Sequence, residues 1–305
     1  MMKNLDKPLD SSPKISIILP AYNEAESIGD VIAKIQGAIQ SSVESYEILV
    51  IDDGSDDDTA TQAQGTGATV IRHPYNIGNG AAIKTGIRHA RSEILVMLDA
   101  DGQHPPEDIP RMIEKIGPYD MVVGARDNAS DTDTHRDIAN KIYNWLASYV
   151  SGRKIEDLTS GFRAIKTNVA RGFVYLLPNQ FSYPTTITLA TIRSGRSLTY
   201  IPIQGRRRKG NSKIRLFRDG ILFLLIILRI ATFYAPLKIF IPVSLMMFLT
   251  GFGYGLFKVI VLHLPYGPTS AMLMTVSIVI FMVGLVSEQV AQLRFDRSEY
   301  FIETN

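Results

Sequence analysis

Along the first two thirds of the chain, short apolar runs rich in β-branched residues alternate with longer segments in which apolar residues recur with a helical period. The runs cover 14–19, 46–51, 68–72, 94–98 and 120–123, and the helical patterns cover 24–40, 80–90 and 106–115. This alternation predicts helices packed on a mostly parallel sheet, in an α/β domain at 14–205 that follows a flexible polar N-terminus at 1–13. Ligands of such sheets bind beyond the carboxyl ends of the strands, so the residues after each strand are candidate site residues.

The last third of the chain has a different pattern, because charged residues almost disappear from it. Residues 239–257 and 259–287 form runs of 19 and 29 residues without a charge. A helix of about 20 residues crosses the roughly 30 Å hydrocarbon core of a bilayer. The segment 236–293 is therefore predicted to hold two transmembrane helices, at about 237–262 and 269–292, followed by a tail at 294–305. The alternative is a helical hairpin buried in a soluble protein.

The distribution of charge predicts on which side of the membrane the α/β domain lies. The chain has 32 Lys and Arg against 30 Asp and Glu, which excludes a nucleic-acid-coating protein. Nine of the basic residues nevertheless lie within 206–238, beside a single acid, and Arg294 and Arg297 follow the hairpin, whereas its turn carries no charge. The positive-inside rule then predicts an integral membrane protein, of the cell membrane in a prokaryote, with the α/β domain in the cytoplasm.

The segment 206–235 is basic and contains an uncharged run too short to span a bilayer. We expect a basic loop followed by an amphipathic helix that lies along the membrane surface, in contact with membrane lipid. A helix packed on the α/β domain is the alternative. The chain has no cysteine, which excludes disulfides and thiolate metal sites. Its first 13 residues are polar and contain no apolar run, so we expect no signal peptide.

Carboxylates follow several of the predicted strands. Glu24 comes after the first, Asp52 and Asp53 end the second, and Asp99 and Asp101 follow the fourth. Single carboxylates at such positions are often helix caps or turn formers, but three clusters at one edge of a sheet indicate a site. Residues i and i+2 of an extended segment point to the same side, so Asp99 and Asp101 can face one Mg²⁺ or Mn²⁺ ion. The amide oxygen of Gln103 is a candidate third ligand.

Six motifs in order carry a resemblance to a known family. They are IILPAYNE at 17–24, VIDDGSD at 50–56, NIGNG at 76–80, LDADGQH at 98–104, VGAR at 123–126 and SGFR at 160–163. Together they resemble the family 2 glycosyltransferases of the GT-A fold. More narrowly, the chain is similar to the polyprenyl-phosphate glycosyltransferases, which include dolichol-phosphate mannose synthase and its bacterial undecaprenyl-phosphate relatives.

The resemblance implies roles for matching positions. Residues implied to contact the nucleotide are Pro20, Tyr22, Glu24, Asp52 and Asp53. Residues implied to hold the metal on the diphosphate are Asp99, Asp101 and Gln103. Arg126 and Arg163 are implied to face the acceptor phosphate or the leaving diphosphate, and Ser212 and Lys213 lie in a loop implied to close over the site. Arg207 belongs to the basic stretch before the hairpin, which either attracts the acceptor phosphate or serves only as an electrostatic anchor. Of these, Asp101, Arg126, Arg163 and Lys213 form the implied catalytic set.

The implied reaction is an inverting transfer of a hexose, glucose or mannose, from a UDP- or GDP-sugar to dolichyl or undecaprenyl phosphate. A lipid phosphate is already an anion at neutral pH, so no strong general base is required, and the five histidines form no obvious acid/base set. The leaving diphosphate does need cations, which Mg²⁺ or Mn²⁺ and arginine side chains supply.

Several alternatives stay open. Many members of the family have a lysine where Asn79 stands, and Gly78 and Gly80 fit either a helix-opening turn or a phosphate contact. Lys84 fits a helix-surface residue better than a phosphate ligand.

The rival functions are a processive polysaccharide synthase and a catalytically idle membrane scaffold. Processive synthases carry a Gln-x-x-Arg-Trp motif. Here Gln204-Gly-Arg-Arg207 is followed by Arg208 and not by Trp, which argues against a synthase. Self-association is also possible.

Overall fold

The computed structural model describes residues 13–126, 134–180, 183–204, 232 and 234–303, with the backbone alone for 134–140 and 294–303. Most of the predicted interfacial segment at 206–235 lies outside the described residues, as do the first 12 residues of the chain.

The α/β domain is built on one seven-stranded sheet. Its strands are β1 (Ile15–Ala21), β2 (Tyr46–Asp52), β3 (Thr69–Arg72), β4 (Ile94–Met97), β5 (Met121–Arg126), β6 (Arg163–Lys166) and β7 (Leu198–Ile203). They are arranged in the order β3-β2-β1-β4-β6-β5-β7. All neighbouring pairs are parallel except those of β6, which is antiparallel to β4 and β5. The prediction of a mostly parallel sheet is confirmed.

Helices cover both faces of the sheet. They are α1 (Ile28–Ile39), α2 (Thr59–Gly65), α3 (Asn79–His89), α4 (Ile109–Glu114), α5 (Thr134–Ser151), α6 (Thr167–Phe173) and α7 (Tyr183–Arg193), with 3-10 turns at Pro106–Asp108 and Val174–Leu176. One core packs α1, α2 and α4 on the face to which Ile17 and Leu19 point, and the other packs α3, α5, α6 and α7 on the face of Ile18. Because both faces are covered, β1 is buried along its whole length, which explains its unbroken apolar run.

Two strands were not predicted from the sequence. β6 has the sequence RAIK, which is short and begins and ends with a cation. β7 has the sequence LTYIPI, in which Pro202 removes one backbone donor. Each becomes a strand because a neighbouring strand pairs with it, and this pairing leaves no local signature in the sequence.

Two long helices form a hairpin at the C-terminal end, at Leu237–Ile260 and Pro268–Glu303. The second continues past the predicted end at Gln292. By length and composition both are able to cross a membrane, and only 17% of each apolar window is buried inside the protein. Met246 and Met272, for example, are 67% and 68% exposed. A soluble protein would bury such helices, so this exposure argues against the alternative of a soluble hairpin.

Small residues let the two hairpin helices approach closely. A Cβ atom on Gly251 would lie 2.8 Å from Leu273 Cβ, and one on Gly284 would lie 2.6 Å from Phe240 Cβ. Gly255, one turn further along the first helix, makes room for the ring of Tyr266 in the connecting turn. The hairpin is thus a packed unit and not two independent anchors.

Candidate active site

Three neighbouring parallel strands, β2, β1 and β4, end at the same edge of the sheet, and their following loops are bonded to one another. Asn23 N–H donates to Ser55 Oγ at 2.9 Å, and Glu24 N–H donates to Thr59 Oγ1 at 2.9 Å. Ser27 Oγ then reaches both Glu24 Oε2, at 2.8 Å, and the carbonyl of Ala100, at 3.2 Å. The predicted convergence of the carboxylate-bearing loops is therefore present.

The residues implied to contact the nucleotide differ in exposure. Pro20 is buried within β1, whereas Tyr22 is 43% exposed and Glu24 is half-buried. Tyr22 therefore offers an aromatic ring at the mouth of this edge, on which a base can stack. Their nucleotide contacts stay predictions.

Asp52 and Asp53 are both buried and bonded to protein groups. Asp52 Oδ1 accepts a hydrogen bond from Ser55 N–H at 2.9 Å, and its Oδ2 lies 3.2 Å from Arg72 Nε on β3. Asp53 Oδ1 lies 2.7 Å from His73 Nδ1, and its Oδ2 accepts from Gly78 N–H at 2.7 Å. In this arrangement Asp53 holds the loop at 76–78 in place. Its predicted contact with a base or ribose would have to share an oxygen that already has a partner.

The glycine-rich loop at 76–80 is packed against the segment before α7. A Cβ atom on Gly80 would lie 2.1 Å from the carbonyl oxygen of Pro178, and the N–H of Ala81 donates to the carbonyl of Asn179 at 2.8 Å. Lys84 also bonds to this segment, through Leu177 O at 3.3 Å. The two glycines therefore allow close backbone packing at the start of α3, as in the helix-opening alternative, and Lys84 serves to pack the domain.

Asp99 lies where β4, the glycine-rich loop and the SGFR motif meet. His104 Nε2 lies 3.2 Å from Asp99 Oδ2, and a Cβ atom on Gly161 would lie 2.6 Å from the same oxygen. Burial disfavours the charged carboxylate, but the His104 ring, the Asn79 amide and the charge of Arg163 outweigh that penalty and lower the pKa of Asp99. The side chain is therefore ionised at neutral pH, as a metal ligand must be.

Asp101 and Gln103 follow on a turn made possible by Gly102, whose φ is 71°. Asp101 Oδ1 accepts a hydrogen bond from Gln103 N–H at 3.1 Å, and all three residues are half-buried. Within the described part of the chain no three His, Asp or Glu side chains are grouped to hold a metal ion. Two carboxylates and an amide oxygen still fit Mg²⁺ or Mn²⁺, because such ions keep several positions for water and substrate phosphate.

Arg126, at the end of β5, forms a bidentate ion pair. Its Nε and Nη2 lie 2.8 Å and 3.1 Å from the two oxygens of Asp157, and Nη2 also donates to Thr159 Oγ1 at 2.6 Å. Asp157 in turn accepts from the N–H groups of Thr159 and Ser160, both at 3.0 Å. Burial disfavours the charge of Asp157, yet the Arg126 guanidinium and the backbone N–H groups of Thr159 and Arg126 lower its pKa. Arg126 thus fixes the turn that leads into the SGFR motif.

Arg163 is fully buried. Its guanidinium donates to Ser160 O, to Pro184 O at 3.0 Å and to Thr188 Oγ1 at 3.1 Å, and lies 5.9 Å from the centre of the Tyr183 ring. In this structure the guanidinium is therefore not exposed to a substrate phosphate. The roles implied for Arg126 and Arg163 stay predictions, and those of Arg207, Ser212 and Lys213 concern residues outside the described ranges.

Sequence reasoning missed most of the contacts that support the site. His73, Asn79, Asp157, Gly161 and Tyr183 each lie against one of the predicted residues. Asn79 and Gly161 stand in quoted motifs, but their proximity to Asp99 was not predicted. Asp157 had a local signal, since Asp157-Leu-Thr-Ser160 has the spacing of a turn in which an aspartate caps the following N–H groups.

Comparison with known proteins supports the resemblance to family 2 glycosyltransferases. Residues 16–173 match the family described as Glycosyl transferase family 2, and residues 235–293 match the GtrB C-terminal hairpin. The chain belongs to glycosyl transferase family 2. It is 30% identical over 311 residues to the undecaprenyl-phosphate 4-deoxy-4-formamido-L-arabinose transferase of Klebsiella pneumoniae (strain 342), over 95% of this chain and 93% of that protein. The chain is accordingly a polyprenyl-phosphate glycosyltransferase with a membrane hairpin.

Solved structures share the fold of the α/β domain. Glucosyl-3-phosphoglycerate synthase from Mycobacterium tuberculosis, in complex with phosphoglyceric acid, superposes with a TM-score of 0.57 at 19% identity, over 72% of this chain and 79% of that one. The same enzyme in complex with Mn²⁺ and uridine-diphosphate-glucose gives 0.56 at 20% identity, over 70% and 79%. At these identities the likeness concerns the fold alone.

Proposed function

We propose that this enzyme transfers a sugar from a UDP- or GDP-sugar to undecaprenyl phosphate with inversion, using Mg²⁺ or Mn²⁺ held by Asp99, Asp101 and Gln103. The observation that carries the proposal is the meeting of the Asp99 carboxylate with the glycine-rich loop and the SGFR motif at one sheet edge, in a chain that also has an exposed apolar hairpin. The first arrangement suits a nucleotide diphosphate, and the second suits a lipid acceptor.

The distribution of charge supports a metal. Arg126 and Arg163, the two described cations implied to face phosphate, are both bonded to protein groups. Asp99 and Asp101 add negative charge where the diphosphate is expected. A divalent ion held by these carboxylates would neutralise their two negative charges and stabilise the leaving group by several kcal/mol. The second source of positive charge would be the basic segment with Arg207 and Lys213.

In the reaction, an oxygen of the lipid phosphate attacks the anomeric carbon while the bond from that carbon to the diphosphate breaks. The acceptor is an anion at neutral pH and loses no proton, so the protein need not supply a base. The roles left to the side chains are to position the donor, to hold the diphosphate charge and to exclude water.

Two donor sugars are supported by different observations. A hexose is expected from the resemblance to hexosyltransferases such as dolichol-phosphate mannose synthase. The relative named for 4-deoxy-4-formamido-L-arabinose matches nearly the whole chain and favours that sugar as the second candidate. We also propose that the catalytic domain is cytoplasmic, since the basic residues flank the hairpin and its turn has none.

The test is a transfer assay with full-length protein in phospholipid vesicles that contain undecaprenyl phosphate. UDP-glucose, GDP-mannose and UDP-4-deoxy-4-formamido-L-arabinose are supplied separately, with Mg²⁺, Mn²⁺ or excess EDTA. A lipid-linked product with one donor, lost in EDTA, supports the proposal. Asp101→Asn should remove transfer in folded protein, whereas Glu107→Gln, an exposed carboxylate nearby, should not. Metal-independent turnover would overturn the metal assignment, and absence of both donor binding and transfer would favour the idle scaffold.

A further inference from the structure

His73 contacts one of the residues implied to bind the nucleotide, but it has no part in the proposed function. It directly follows β3 and is 9% exposed. Its Nδ1 lies 2.7 Å from Asp53 Oδ1, and its Nε2 lies 2.9 Å from Thr85 Oγ1 on α3. Because a carboxylate only accepts hydrogen bonds, Nδ1 is the donor to Asp53. The ring is thus held at both nitrogens, between the end of β2 and helix α3.

The loop that carries His73 is packed against the turn that carries Asp53. The N–H of His73 donates to the carbonyl of Asp52 at 2.8 Å. Gly54 has a φ of 74°, and a Cβ atom there would lie 2.5 Å from the carbonyl carbon of Tyr75. The two segments are therefore in direct backbone contact, which keeps the imidazole ring beside the carboxylate.

The hydrogen bonds of Asp53 determine how much of its carboxylate remains for a ligand. Oδ1 also accepts from the N–H of Ile77 at 3.0 Å, and Oδ2 accepts from the N–H of Gly78 at 2.7 Å. A carboxylate has about four acceptor positions, shared equally by its oxygens. Within the described part of the chain, His73 and Ile77 therefore fill Oδ1, and Oδ2 keeps one position beside Gly78.

This carboxylate lies next to the ring on which a base can stack. The N–H of Asp53 donates to the carbonyl of Ala21 at 2.9 Å, and the next residue is Tyr22, whose ring is 43% exposed. A base stacked on Tyr22 would have its hydrogen-bonding edge within reach of Asp53. Since Asp53 is only 3% exposed, there is little room for water to pair with a base N–H group that finds no acceptor on the protein.

Uracil and guanine differ in the number of donors on the edge that faces a carboxylate. Uracil has a single imide N–H between two carbonyls, whereas guanine has a ring N–H and an adjacent amino group, which together use both oxygens of a carboxylate. We propose that His73 is a positioning residue for the nucleotide. By filling Oδ1 of Asp53 it leaves one acceptor position, which suits uracil and leaves a guanine donor unpaired. This inference rests on the proposed function and narrows its donor from a UDP- or GDP-sugar to a UDP-sugar.

Inosine diphosphate makes a direct test possible, because its base is guanine without the amino group. Full-length protein in detergent is titrated with UDP, IDP and GDP in the presence of Mg²⁺, and the dissociation constants are measured by calorimetry. Ribose, diphosphate and metal are common to the three ligands, so the ratios of the constants report the base. We expect IDP to bind about tenfold tighter than GDP, although both bases are purines, because the amino group is left without an acceptor. UDP should also bind tighter than GDP.

Variants of His73 test whether the ring causes this preference. His73→Leu removes the donor and frees Oδ1 of Asp53, so the carboxylate can turn both oxygens towards a base and the constants for IDP and GDP should become equal. His73→Asn, whose amide nitrogen is as many bonds from Cβ as Nδ1 is, should keep the preference. His89→Leu is the matched control, since His89 is exposed and bonds to the carbonyl of Thr85 within its own helix. Thermal unfolding checks that each variant is folded. If His73→Leu is not, Thr85→Val removes the hydroxyl behind Nε2 and should lower the preference in its place.

Three results would overturn the inference. Equal binding of IDP and GDP by the wild type, or tighter binding of GDP, would mean that Asp53 does not select the base by its number of donors, and the proposed function would stand with a GDP-sugar still open. A preference that is unchanged in folded His73→Leu, or in Thr85→Val, would mean that His73 does not set it. Absence of binding to all three nucleotides would overturn the proposed function, and this inference with it.

Discussion

Arg193 Nη2 lies 3.1 Å from Glu288 Oε1, and this ion pair joins α7 of the catalytic domain to the second hairpin helix. The side chains are 22% and 16% exposed, so the pair is largely shielded from water. The other end of α7 begins at Tyr183, whose ring faces Arg163 beneath the site. A single helix thus connects the membrane hairpin with the buried Arg163 of the SGFR motif.

We expect Glu288→Gln to destabilise the protein by about 1–3 kcal/mol, because it leaves a partly buried guanidinium without its charged partner. Thermal unfolding of the full-length protein in detergent measures the effect. Glu156→Gln is the matched control, since Glu156 pairs with Lys154 at an exposed site and should cost almost nothing. The exchanged pair, Arg193→Glu with Glu288→Arg, should recover part of the loss. Equal stability of Glu288→Gln and Glu156→Gln would show that the pair contributes nothing.

The second prediction concerns pH and Asp157. The folded pKa of this carboxyl is lowered, so its contribution to stability is fully present above the ordinary aspartate pKa of about 3.9 and is lost as the pH falls towards the folded value. At pH 7 we expect Asp157→Asn to cost about 3 kcal/mol, because it breaks a mostly buried pair with Arg126. Below about pH 4 the difference from the wild type should shrink.

Urea unfolding from pH 7 to pH 3 tests this expectation. The control is Glu44→Gln, which removes a carboxylate paired with Lys14 on the open surface, where solvent screens the pair, and it should change the pH dependence much less. If Asp157→Asn lowered the free energy of unfolding by the same amount at every pH in this range, the loss would come from altered packing and not from the missing charge.

How far the site could be predicted from the sequence depends on the distance over which its contacts form. The carboxylates Asp53, Asp99 and Asp101 could be assigned to one sheet edge, because each follows an apolar run and parallel strands end together. The partner of Asp53 could not be predicted from the sequence. His73 is 20 residues away in the chain and is brought to Asp53 by the pairing of β2 with β3. The sequence therefore locates the site but not the contacts that already occupy its side chains.

The same reasoning applies to the two arginines. Arg126 and Arg163 stand in recognisable motifs, and the motifs imply phosphate contacts. In the structure, Asp157 and the start of α7 accept hydrogen bonds from these two guanidinium groups, and the phosphate contacts stay predictions. Such contacts depend on the loop at 156–160 and on β6, which has no apolar pattern of its own.

Gly80 gives a third prediction. Alanine there would place a methyl group 2.1 Å from the carbonyl oxygen of Pro178, a backbone atom that has no rotamer with which to move away. We expect Gly80→Ala to destabilise the domain by about 1–3 kcal/mol and to shift Asn79 from Asp99. Gly37→Ala in α1 is the control, because no atom lies within 4 Å of its Cβ position and alanine should stabilise that helix by up to about 1 kcal/mol. Urea unfolding compares the two, and equal stabilities would disprove the close packing of this loop.

The last prediction tests whether the hairpin is a packed unit. Leucine at Gly251 would force its Cβ to within 2.8 Å of Leu273 Cβ and 3.1 Å of the carbonyl oxygen of Ser270, so the two helices would have to separate. Gly253 lies on the same helix, two residues away, and has no atom within 4 Å of its Cβ position. Helix association in membranes depends on close contact between small residues, because lipid offers the helices no hydrophobic gain from pairing. Gly251→Leu should therefore lower the melting temperature in detergent, while Gly253→Leu, which adds the same apolar side chain on the exposed face, should leave it unchanged. If both variants melted like the wild type, the hairpin would be two independent spans, and the Arg193 and Glu288 contact could then not transmit a fixed geometry to the catalytic domain.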